Sequence, residues 1–116
     1  MEFTNFQKLL IRQSEKEDRL TYLFSEMKSS GIGSLQKADL IFLLRAFCGK
    51  ILLTCKDEEQ IRRVTSYAIQ IGSQHTKQYI INVLTTEIIP IYKEIIKWQT
   101  TTIEYLQVRY KNILNQ

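Results

Sequence analysis

Apolar residues recur every three to four positions along most of this chain, the spacing of amphipathic helices. Between residues 5 and 29, Phe6, Leu9, Leu10, Leu20, Phe24 and Met27 share one face of a long helix, with Thr4 placed to cap it. The middle of that helix, Arg12 to Arg19, is wholly polar, and it puts Gln13 and Glu17 into the apolar seam. Either the helix leaves the core there, or those two side chains find hydrogen-bond partners inside. The run Ser29-Ser30-Gly31-Ile32-Gly33-Ser34 reads as a loop, with Ser34 as the next cap. From Leu35 to Cys48 nearly every side is apolar, which predicts a buried central helix. It either ends at Gly49-Lys50 or runs on through Leu53; a short strand over 50–55 is the competing reading.

Asp57-Glu58-Glu59-Gln60 carries the acids of a helix start. Ile61, Val64, Ala68 and Ile71 continue that helix at helical spacing, and Gly72 supplies its stop. A fourth helix opens at Ser73 or Gln74 and should end or kink just before Pro90. Pro90 suits the first turn of a fifth, over about 91–114, with Tyr92, Ile96, Ile103, Leu106, Tyr110 and Ile113 on its broad face. Hairpin turn signals are missing and no internal repeat is evident. The expectation is one all-α domain over residues 1–116: a compact bundle of about five helices around a central helix at about 35–48.

Composition leaves that picture unchanged. One proline and four glycines in 116 residues allow few chain breaks, and a chain this long buries an adequate core without metal or disulfide. Cys48 and Cys55 on one helix would lie roughly 10 Å apart along its axis, beyond disulfide reach. They are expected as free thiols, with the cytoplasm or another reducing compartment as the setting. The N-terminus lacks the pattern of a signal peptide. The most apolar stretch, 38–53, is interrupted by Asp39, Arg45 and Lys50, so a core helix is expected and no membrane span.

Catalytic chemistry has little to work with. His75 is the only histidine, no GxSxG or HExxH occurs, and no glycine-rich phosphate loop precedes a lysine. The paired acids Glu15/Glu17 and Asp57/Glu58/Glu59 belong to ordinary helix faces and first turns. No catalytic residue, metal ligand or cofactor is expected. Residues 20–47 do resemble a degenerate EF-hand. With the loop at Lys28–Asp39, Gly33 takes the sharp-turn position, Leu35 the apolar eighth and Asp39 the acidic twelfth. Leu20, Phe24 and Met27 match the apolar positions before the loop, and Leu40, Leu43, Leu44 and Phe47 those after it. Lys28 and Ile32 stand where two oxygen ligands belong, so the resemblance implies a calcium-independent module that grips a partner helix. A second hand around 67–78, with Gly72 at its turn, is fainter.

Two further features point to partners. Lys8, Arg12, Lys16 and Arg19 fall within a narrow arc of the first helix, a stripe suited to nucleic acid or an acidic protein. Glu15, four residues before Arg19, would make the same stripe an ordinary solvated face. The net charge of +4 leans weakly towards acidic partners. Tyr92, Trp98, Tyr105 and Tyr110 lie on more than one side of the last helix, and such residues dominate protein interfaces. The leading expectation is a non-enzymatic interaction or adaptor module that forms a homodimer or docks a protein through its C-terminal helix. A small nucleic-acid-binding or nucleoprotein subunit is the alternative.

Overall fold

The computed structural model describes residues 2–96. Among them there are five helices and no strand: α1 (Asn5–Ser14), α2 (Glu17–Ser30), α3 (Lys37–Thr54), α4 (Glu58–Gln70) and α5 (Lys77–Val83). The all-α bundle expected from the periodicity is present, but its partition differs at both ends.

The expected first helix is two. Thr4 caps α1 in a reciprocal box: its hydroxyl accepts from the Gln7 amide, and its own amide donates to Gln7 Oε1 at 2.9 Å. The chain then breaks at Glu15-Lys16, inside the wholly polar stretch. That break resolves the seam conflict. Glu17 swings to the surface and pairs with Lys50 at 3.2 Å, whereas Gln13 keeps a buried Oε1 with no partner in the protein.

Helix α3 is the centre. Leu40, Leu43, Leu44, Cys48 and Ile51 are wholly buried, and Phe47 is 7% exposed. It packs against α1, α2, α4 and α5 together, which is why it can afford no polar face. It continues to Thr54, so the run-on reading holds and the strand over 50–55 does not form. Gly49 does not end it. A Cβ there would overlap the carbonyl oxygen of Leu10 and come within 2.6 Å of its carbonyl carbon, so the glycine lets the α1 and α3 backbones touch. Ser34 does not cap α3 either; its hydroxyl donates to the Gly31 carbonyl, and Gln36 holds the cap position without a side-chain bond.

Asp57 caps α4 by accepting from the amides of Glu59 and Gln60. The next helix starts later than expected, at Lys77, with Thr76 accepting from the Tyr79 amide. Pro90 does not stop it. The chain widens into a π turn over Leu84–Ile88 and remains helical to residue 96. The missing proline N–H and the crowding of its ring are absorbed by that wider turn, and the Thr85 and Thr86 hydroxyls donate back to Ile81 and Asn82 carbonyls.

The structure brings together two short stretches of similar pattern. Ile32-Gly33-Ser34 returns as Ile71-Gly72-Ser73, and Lys37, Leu40, Ile41, Leu43 and Leu44 return forty residues on as Lys77, Ile80, Ile81, Val83 and Leu84. Burial follows the correspondence: Leu40/Ile80, Leu43/Val83 and Leu44/Leu84 are buried, and Ile41/Ile81 half-buried. The two loops clasp each other through the matched lysines. Lys37 Nζ donates to the Ser73 carbonyl at 2.7 Å and Lys77 Nζ to the Gly33 carbonyl at 2.6 Å.

Candidate functional site

The carboxyl-terminal end of α3, the connector to α4 and the helix beyond Pro90 enclose an open cavity of about 620 Å³. One wall is Thr54 and Cys55 with Lys56 and Asp57; the other is Pro90, Ile91 and Ile95 with Glu94 at the rim. Each wall has a local cause. Helix α3 must stop at Thr54 because the Asp57 cap starts a new helix three residues later. The Pro90 ring, carried past the π turn without a break, is exposed beside half-buried Ile91 and Ile95. Ile96 follows at 42% exposure. The cavity is mainly apolar, and Lys56, Asp57 and Glu94 bring charges of both signs to its lining, with Asp57 engaged as the α4 cap.

The aromatic residues assigned to a partner interface divide. Tyr92 is half-buried and its ring meets the Phe47 edge at 5.0 Å, and Phe47 in turn meets Phe24 at 5.7 Å. It therefore ties the last helix to α3 and α2 inside the chain, and is not a free docking residue. Trp98, Tyr105 and Tyr110 lie outside the described residues, as does the rest of the expected helix to residue 114.

The basic stripe loses its geometry when the first helix breaks. Lys8 and Arg12 sit on α1, Lys16 in the connector and Arg19 on α2, all exposed. Arg19 is committed elsewhere: it pairs with Asp39 at 3.0 Å, in place of Glu15, and lies 4.0 Å above the Phe42 ring. Only Lys8, Arg12 and Lys16 remain for a phosphate backbone.

The loop that resembles an EF-hand turns at a different residue from the one expected. Gly31, with φ of 84°, takes the left-handed conformation, and no other described residue does. Asp39, the acid at the twelfth position, is bound to Arg19. His75 closes the second loop, its Nδ1 accepting from the Gly72 amide at 3.3 Å and its ring stacked on Tyr79. Among the described residues no three His, Cys, Asp or Glu side chains gather closely enough to hold a metal ion.

Cys48 is a wholly buried core side chain, and that burial pushes its thiol up to about 12. Cys55 is half-buried on the cavity wall, its Sγ 3.4 Å from Gln60 Oε1. Sequence reasoning missed this cavity because its walls come from segments some 40 residues apart. The one available signal was the uncovered apolar pair Ile91 and Ile95 just after a proline. No described helix is long and apolar enough to cross a membrane. Comparison with known protein families, curated proteins and solved structures finds no match for this chain.

Proposed function

We propose that this chain is a non-enzymatic helical module that works by protein–protein association, in the first place with a second copy of itself, through its carboxyl-terminal end. Two observations support this reading: the mainly apolar cavity between Thr54–Asp57 and Pro90–Ile95, and the exposed Ile96 on the same helix. Apolar surface left open on a folded chain favours association, at about 25 cal/mol for each Å² removed from water.

Light scattering on the full chain across a dilution series tests it. Self-association should appear at micromolar concentration and be weakened by Ile96→Asp, which burdens an exposed position and leaves the core untouched. Circular dichroism checks that the variant keeps its helix content. A wild-type chain that stays monomeric throughout would overturn the reading.

A further inference from the structure

We draw no further inference here: the strongest candidate, the mainly apolar cavity between Thr54–Asp57 and Pro90–Ile95, carries none because nothing in the structure shows what covers it.

Discussion

Gly49→Ala tests how closely the first and central helices are packed. Alanine is favoured over glycine inside a helix by about 1 kcal/mol, so on propensity alone the change would stabilise α3. The tertiary term opposes it. The new methyl would overlap the Leu10 carbonyl oxygen, lie 2.6 Å from its carbon and 3.0 Å from the Ile11 nitrogen, all backbone atoms with no rotamer to escape into. Restoring ordinary contact means moving α1 outwards by about 1 Å. Overpacking of this kind costs about 1–3 kcal/mol, and loosening α1 also sacrifices part of the roughly 1.5–3 kcal/mol held by a fully buried leucine such as Leu10. With about half of that burial lost, subtracting the propensity gain leaves a net loss of about 1–3.5 kcal/mol, or about 4–14 °C in melting temperature for a domain of this size. Thermal and urea melts followed by circular dichroism measure it. Gly33→Ala, with nothing within 4 Å of its new methyl and no positive φ, is the matched control and should melt within a few degrees of wild type. If Gly49→Ala melted at or above the wild-type temperature, the backbone contact between α1 and α3 would be wrong.

Two other measurements probe the core. Leu44 is wholly buried, so Leu44→Ala should cost about 2–5 kcal/mol in a denaturant melt, and a loss below about 1 kcal/mol would remove α3 from the centre. Cys48 keeps its proton to about 12 when folded against 9.0 for a free thiol, so its contribution is complete below pH 9 and is lost as pH rises from there towards 12. The urea midpoint of wild type should therefore fall more steeply above pH 9 than that of Cys48→Ala, and parallel profiles would contradict the burial of this thiol.

Much of the fold is legible in the sequence because it is written in local rules. Thr4 and Asp57 mark helix starts because their oxygens satisfy amides within three residues, which requires no knowledge of the rest of the chain. The run Leu40 to Leu44 declares a buried helix because no orientation gives it a wet face. The errors cluster where the deciding partner is distant. The first helix breaks at Glu15-Lys16, where its polar stretch and the α1–α3 contact set the path, and periodicity alone carries straight through. Gly49 reads as a helix stop, but the Leu10 backbone lying against it makes it a packing residue. Pro90 reads as a boundary, yet a π turn upstream absorbs it.

The candidate site was the least legible part. Arg19 looked like part of a phosphate-binding stripe until tertiary folding brought Asp39 and Phe42 to it from 20 and more residues away. Tyr92 looked like an interface residue until Phe47 came up against it. The likeness of the two stretches from Ile32 and Ile71 stayed hidden because their spacing shifts between 39 and 40 residues and only a few identities survive; matched burial and the crossed lysine bonds make it visible. The sequence by itself determined that the described chain is helical, which helix is central and where two of the helices begin, because those follow from hydrogen bonds and periodicity within a few residues. The tertiary structure alone decided which charges are spent, which aromatics are buried and where an apolar cavity stays open, because each depends on surfaces that meet only after the chain has folded.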